Sequence, residues 1–152
     1  MLPEPFSLIP KTSCRQDHYL AGEHLFHMGD VSDAIFFVLS REVHLQRYTR
    51  TGDLIVIHRA FAHGVFAEAS LFSDSYHCDG VAQMETSIIA IFKRDILSLM
   101  DADPGFALKV TSYFAKQVQD YRRLLELRLK LLKTCAFDSQ FLNFFCIFKQ
   151  VH

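Results

Sequence analysis

The sequence has few of the features that mark secreted, membrane-spanning or nucleic-acid-binding proteins. Its four cysteines are widely spaced and form no Cys-x-x-Cys pair, which argues against a disulfide framework or a zinc site. The 16 Lys and Arg residues are balanced by 17 Asp and Glu residues, so no basic footprint for nucleic acid is evident. No apolar run is long enough to cross a bilayer, and the proline-containing N terminus lacks a signal-peptide core. These absences predict a soluble, cytoplasmic protein with reduced thiols.

The composition indicates one folded domain with a full core. The chain has 152 residues, of which 50% are hydrophobic and 13% aromatic. These values lie well outside the range of disordered chains, whose hydrophobicity is too low to offset the entropy of ordering. The sequence shows no internal repeat and no low-complexity tract. We therefore expect one domain, to which a smaller appendage could be attached.

Short apolar runs dominate the chain from about Arg15 to Phe92. They are rich in Ile, Val and Phe and are separated by Gly, Asp and Ser, a pattern that predicts strands. Many short strands without intervening helices favour a closed antiparallel architecture, a double-stranded β-helix or jelly roll. The runs are HLFHMGD, DAIFFVLS, EVHLQRY, DLIVIHRAF, GVFAEASLF, CDGVAQM and TSIIAIF.

The pattern becomes helical at Lys93. We predict a short helix from about Arg94 to Ala102 and a long helix that begins at Pro104. Asp103 can cap free N–H groups, and proline suits the first turn of a helix.

One face of the long helix carries an apolar stripe. Its residues recur at spacings of three and four, and the stripe exceeds what a small β domain can cover. This length favours a parallel seam between two copies, hence a homodimer, over packing on the chain's own β domain. The stripe consists of Val110, Phe114, Val118, Tyr121, Leu125, Leu129 and Leu132.

The ordered set of these segments resembles the sensor domain of Crp/Fnr-family bacterial transcription regulators. The resemblance covers about Tyr19 to Arg128 and rests on AGEHLFHMGDVSDAIFFVLSREVHLQ, on GVFAEASLF, and on the short and long helices that follow. It implies a cyclic-nucleotide-binding-like β-roll at residues 1–102 and a dimerisation helix at residues 103–133. Residues 134–152 resemble the start of a helix-turn-helix domain, and the rest of the DNA reader of the family is not found in the sequence.

The resemblance places a phosphate-binding cassette at FAEASLFSDSYHCDG. In the family this loop reads Gly-Glu-Leu-Gly/Ala-Leu-Phe and then Arg-Ser/Thr-Ala. The clamping arginine of the family aligns with Cys78, and the hydroxyl residue that follows it aligns with Asp79. A thiol thus stands in place of the guanidinium that would neutralise the phosphate, and the neighbouring carboxylate would repel the phosphate. We therefore predict that cyclic nucleotide is not the effector, whose identity remains open. The implied pocket residues are Ala67, Glu68, Ser70, Leu71, Cys78, Asp79, Tyr121 and Arg122.

Other interpretations of these residues compete with a ligand site. His77 beside Cys78 could make the thiol redox- or metal-responsive, whereas strand alternation would bury Cys78 alone as filler. Glu68 could hold its loop closed without a ligand. His24 and His27 suggest a cupin-like metal site, but their spacing would send the two rings to opposite faces of a strand.

No catalytic, cofactor or phosphate-loop motif is present, so we expect neither an enzyme nor a bound cofactor. Arg41 occupies a tight turn where the family usually has glycine, which implies a changed turn or backbone strain. Because no recognition helix is evident and the net charge is −1, we expect no specific DNA binding by this chain alone.

Overall fold

Among the described residues, eight strands, two α-helices and three short 3₁₀ helices make up the regular structure. The computed structural model describes residues 2–137, with side chains through residue 132, so the predicted segment 134–152 lies almost entirely outside the described residues. The strands are β1 (Cys14–Tyr19), β2 (His24–Phe26), β3 (Ala34–Ser40), β4 (Glu42–Tyr48), β5 (Leu54–Phe61), β6 (Val65–Phe66), β7 (Asp79–Ala82) and β8 (Thr86–Phe92). The helices are α1 (Lys93–Ala102) and α2 (Pro104–Phe137).

The strands form two four-stranded antiparallel sheets. One has the order β1-β8-β3-β6 and the other the order β2-β7-β4-β5, so both sheets combine strands that are distant in sequence. This topology confirms the predicted β-roll. One strand prediction was too long, because GVFAEASLF is extended only at Val65–Phe66 and turns into a 3₁₀ segment at Glu68–Ser70.

Aromatic side chains fill the space between the sheets beside the predicted cassette. Phe36 stacks on Phe26 and on Phe66, with ring centroids 5.3 and 5.2 Å apart. Tyr76 lies over Phe26 at 3.9 Å. All four residues are buried, so the interior of the roll is packed with side chains.

Both helix predictions are confirmed. The Oδ1 atom of Asp103 accepts a hydrogen bond of 2.8 Å from the N–H of Gly105, so the residue before Pro104 caps α2 as expected. Arg41, in the turn between β3 and β4, has a left-handed backbone with φ +69°. This conformation is strained for a residue with a Cβ atom, as the sequence analysis expected.

The chain divides into two compact units. The first extends from the N terminus to Ala107 and contains the roll, and the second begins at Leu108 within α2. The three-part division predicted from the sequence stays a prediction. Along α2, Val110 is fully buried and Phe114 is partly buried, whereas the later stripe residues are exposed. Neither described helix combines the length and apolar character that a bilayer crossing requires.

Candidate functional site

The candidate site is the segment between β6 and β7, which contains most of the predicted pocket residues. Ala67 begins it with a left-handed backbone at φ +61°, the conformation for which glycine is the usual residue. A single 3₁₀ turn then follows at Glu68–Ser70, where the N–H groups of Ser70 and Leu71 donate to the carbonyls of Ala67 and Glu68. The backbone thus keeps the left-handed turn although the glycine has been replaced by alanine.

The second half of the segment is fastened to the loop between β2 and β3. The Ser32 hydroxyl donates to the Ser70 carbonyl at 2.8 Å, and the Ser32 N–H donates to the Asp74 carbonyl at 3.0 Å. The N–H of Tyr76 donates to the Asp30 carbonyl at 2.9 Å, and the Gly29 N–H donates to the Tyr76 carbonyl at 2.8 Å. These four bonds fasten the cassette to the β2–β3 loop.

Tyr76 also anchors the segment through its side chain. Its hydroxyl donates to the Ala34 carbonyl at 2.8 Å and accepts from the Ala34 N–H at 3.2 Å. Burial raises the pKa of Tyr76 to about 12, so the phenol remains a neutral donor at physiological pH. The aromatic interior and the cassette are therefore joined by one residue.

Cys78 lies inside the roll at the position of the family's phosphate-clamping arginine. Only 2% of its surface is exposed, whereas His77 is exposed. Burial, and then the negative charge of Asp79, raises the pKa of the Cys78 thiol to about 11. A neutral, buried thiol is a poor nucleophile and a poor metal ligand, so the filler interpretation is favoured over a redox role.

Asp79 has a structural partner in the β2–β3 loop. Its Oδ1 atom accepts a hydrogen bond of 2.7 Å from the Met28 N–H. The carboxylate therefore replaces the hydroxyl of the family pattern and binds the protein's own backbone. His77 contributes a weaker contact, with its Nδ1 atom 3.4 Å from the Ser70 hydroxyl.

Arg47 brings a positive charge to the site from a neighbouring strand. β4 and β7 pair Leu45 with Gly80 and Gln46 with Asp79, and extending this register by one residue places Arg47 opposite Cys78. The charge of Arg47 lowers the pKa of Cys78, in opposition to burial, Asp79 and Glu68, and this agrees with a position of Arg47 near Cys78. The sequence analysis missed Arg47, although it continues the face of β4 that carries Val43 and Leu45.

Gly80 shows how tightly the cassette abuts the interior. A Cβ atom at this position would lie 2.7 Å from two ring carbons of Phe26. The family pattern has alanine here, so the Phe26 ring occupies space that this methyl group would need. This close approach identifies a reason for glycine that the sequence alone did not reveal.

The remaining predicted pocket residues lie on α2. Tyr121 and Arg122 are both exposed, and they belong to the second compact unit. Their proposed role in covering a ligand therefore stays a prediction, and the same holds for the role of Glu68.

The prediction that the His24 and His27 rings lie on opposite faces of a strand was wrong. The His24 and His27 rings stack with centroids 4.4 Å apart and planes inclined by 9°. The alternation argument failed because β2 ends at Phe26 and its pairing with β7 has a register shift. Side chains of the described residues form no group of three His, Cys, Asp or Glu that could hold a metal ion.

The two antiparallel sheets followed by two helices define a class of protein, the β-roll domain. The family model for the cyclic nucleotide-binding domain matches residues 16–103, more than half of the chain. The chain belongs to this family, and its resemblance to Crp/Fnr-type sensor domains is confirmed.

Relatives and solved structures agree with this assignment. The chain is 26% identical over 103 residues to a cyclic AMP receptor protein of Thermus thermophilus, covering 67% of this chain and 48% of that protein. It thus spans about half the length of the curated relative that it matches. The Thermus thermophilus catabolite activator protein structure is 26% identical with a TM-score of 0.62, covering 80% of this chain and 56% of that one.

A third comparison supports the fold alone. The sensor domain of the transcriptional regulator DNR from Pseudomonas aeruginosa is 18% identical with a TM-score of 0.65, covering 74% of this chain and 76% of that domain. The three matched proteins are named as a receptor protein, an activator protein and a transcriptional regulator.

Proposed function

We propose that this chain is the sensor and dimerisation module of a Crp/Fnr-type regulator and that its cassette does not bind cyclic nucleotide. The buried Cys78 at the position of the clamping arginine carries this proposal. A bidentate guanidinium contributes both charge and geometry to phosphate binding, and a neutral thiol contributes neither.

The neighbouring charges reinforce the proposal. Asp79 and Glu68 place two carboxylates near Cys78, while Arg47 is the opposing cation in its surroundings. A cyclic phosphate would approach a site where acidic groups outnumber the basic one. The cassette is also joined to the β2–β3 loop by hydrogen bonds, one of which engages the Asp79 carboxylate.

Calorimetry with cyclic AMP and cyclic GMP tests this proposal. We expect no saturable heat at ligand concentrations up to about 1 mM, which corresponds to a binding free energy weaker than about −4 kcal/mol. Micromolar affinity for either nucleotide would refute the proposal. The double substitution Cys78→Arg and Asp79→Ser, compared with Asp79→Ser alone, measures how much the arginine restores.

We further propose that the second part of α2 pairs two copies of the chain. The apolar stripe is exposed along this part of α2, where Val118, Tyr121 and Leu125 are 48%, 40% and 58% exposed. Leu129 is 50% exposed and Leu132 is 65% exposed. Burial of apolar surface at roughly 25 cal/mol per Å² makes association with a second copy favourable. Val110 is buried in the single chain, so the surface available for the proposed seam begins with the partly buried Phe114.

We also propose that this chain by itself does not read DNA. Support comes from the balance of 16 basic and 17 acidic residues, which leaves little net attraction to a phosphate backbone. Submicromolar affinity in a low-salt gel-shift assay would contradict this proposal.

A further inference from the structure

Strand β5 is the last strand of its sheet, so one of its two edges has no neighbour among the described strands. Its residues 54–57 are all apolar, and their side chains are between 37% and 49% exposed. Strand β1 also lies at the edge of a sheet, but it carries the charged residues Arg15 and Asp17, and charges protect such an edge from a further strand. The open edge of β5 lacks this protection between Leu54 and Ile57.

The register of the β4–β5 hairpin determines which backbone groups point to the open edge. The Thr49 N–H donates to the Asp53 carbonyl at 2.9 Å, so Thr49 and Asp53 form a hydrogen-bonded pair at the turn. Hydrogen-bonded and non-hydrogen-bonded pairs alternate in an antiparallel ladder, so Leu54 and Val56 occupy non-hydrogen-bonded positions. Their N–H and C=O groups therefore point away from β4, toward the open edge.

An irregularity in β5 brings Arg59 to the same face as Leu54 and Val56. All three are cross-strand partners of β4 residues that alternate with the interior residues of that strand, so all three face away from the interior. A regular strand would send Arg59 to the other face, but the register shift at Ile57 restores its direction. The outer surface at this edge thus combines two apolar side chains with one guanidinium.

The β4–β5 hairpin is positively charged. Residues 47–59 include three arginines and one aspartate, whereas the whole chain has a net charge of −1. Arg50 and Arg59 are exposed, and neither belongs to an ion pair among the described residues. The open edge is therefore bordered by cations that a partner of opposite charge can complement.

Two carboxylates border the hairpin, and each is engaged with a neighbouring side chain. The Asp53 Oδ2 atom accepts a hydrogen bond of 2.7 Å from the Thr51 hydroxyl at the turn. The Glu42 Oε1 atom, at the other end, lies 3.4 Å from His44 Nε2. A second copy of the chain would add the same arginines to this surface, so the charge favours an acidic partner over self-pairing.

We propose that the open edge of β5 binds an extended acidic segment of a partner protein as an added antiparallel strand. The segment would exchange backbone hydrogen bonds with Leu54 and Val56, and its apolar side chains would pack on these two residues. A carboxylate near the N-terminal end of the segment would lie beside Arg59, because the added strand runs opposite to β5. This site shares no residue with the cassette or with the apolar stripe of α2, so it does not depend on the functions proposed for them.

A fluorescently labelled peptide, acetyl-Glu-Glu-Val-Thr-Val-Thr-amide, tests the proposal by fluorescence anisotropy. We expect saturable binding with a dissociation constant below about 1 mM at low ionic strength, and weaker binding as salt screens the charges. The same peptide with lysine in place of both glutamates should bind at least about tenfold more weakly, because like charges would face each other. N-methylation of both valines removes the backbone donors and should abolish binding.

Substitutions on the protein test the same contacts from the other side. Val56→Pro removes the outward N–H at an edge position where proline is tolerated, and it should abolish binding, whereas Val56→Thr keeps the N–H and should bind nearly as tightly as the wild type. Arg59→Gln should weaken binding by about fivefold, as expected for an exposed ion pair. Arg123→Gln, at an exposed position on α2, is the matched control and should leave binding unchanged. Circular dichroism checks that each variant is folded.

Amide hydrogen exchange locates the bound peptide. The amides of Leu54 and Val56 should exchange more slowly with peptide, whereas the Ile55 amide, which pairs with β4, should change little. The proposal is overturned if the glutamate peptide at about 1 mM changes neither rate, or if the lysine or N-methylated peptide binds equally well. Protection of Val56 that grows with protein concentration in the absence of peptide would assign the edge to a second copy and would also overturn it. The N-methylated peptide keeps the test decisive if Val56→Pro does not fold.

Discussion

The β-roll buries its apolar residues, whereas the later part of α2 leaves apolar residues exposed in the single chain. In the roll, Phe36 and Phe66 are 4% and 0% exposed and stack within a closed interior. On α2, Leu125 and Leu129 are 58% and 50% exposed in the single chain. The roll thus obtains its core from its own strands, whereas α2 has exposed apolar surface among the described residues, and the proposed pairing of two copies would cover this surface.

The two halves of the cassette differ in a related way. The first half turns sharply, since Ala67 has a left-handed backbone and Glu68 begins the 3₁₀ turn. In the second half the Cys78 side chain is buried, and the Asp79 carboxylate accepts a hydrogen bond from the Met28 N–H. The two side chains that the resemblance aligns with phosphate-binding groups thus contact the protein itself.

The largest expected effect tests whether the roll depends on its own interior. Phe36→Ala removes a buried ring that contacts Phe26 and Phe66, and we expect a loss of about 3–5 kcal/mol in the free energy of unfolding. Urea denaturation measures this loss. Phe72→Ala is the control, since Phe72 is 68% exposed and its removal should change stability by less than about 0.5 kcal/mol. Equal losses in the two variants would contradict the comparison.

The next effect concerns the helix and its proposed partner. Leu125→Glu places a charge in the apolar stripe and should weaken self-association by at least about 100-fold, equivalent to roughly 2.7 kcal/mol. Sedimentation equilibrium should show a monomer that keeps the β-sheet circular dichroism of the wild type. Gln119→Glu introduces the same charge at an exposed position outside the stripe and should remain dimeric. A wild-type protein that is monomeric at tens of micromolar would refute the seam.

A smaller effect, the loss of stability at alkaline pH, tests whether the Cys78 thiol is buried. The pKa of Cys78 is about 11 in the folded protein and about 9.0 for a free thiol, so its contribution to stability is complete below pH 9. Between pH 9 and 11 the unfolded chain ionises first, and the contribution falls by about 1.4 kcal/mol per pH unit. Urea unfolding should therefore show a steeper alkaline loss for the wild type than for Cys78→Ala. Parallel profiles would mean that Cys78 is solvated.

The smallest effect tests backbone strain at the turn between β3 and β4. Arg41→Gly relieves a left-handed backbone at an exposed position and should raise the free energy of unfolding by about 0.5–1 kcal/mol. Arg50→Gly is the control, because Arg50 is not among the described residues with positive φ and glycine there adds only unfolded-state entropy. A loss of stability in Arg41→Gly would show that its side chain makes a contribution larger than the strain.

Local patterns of the sequence determined much of this protein. Short runs rich in β-branched and aromatic residues predicted the strands between Ala34 and Tyr48, and the Asp103-Pro104 pair predicted the start of α2. Burial of Cys78 could also be inferred from strand alternation. These features depend on neighbouring residues, whose spacing is visible in the chain.

Only the tertiary structure decided which distant residues meet. Met28 and Asp79 are 51 residues apart, and Arg47 lies opposite Cys78 only because β4 pairs with β7 in one particular register. The stacked His24 and His27 rings depend on the end and register shift of β2, which alternation could not reveal. Register is set by long-range packing of both sheets, so the partners of the cassette could not be read from the order of residues alone.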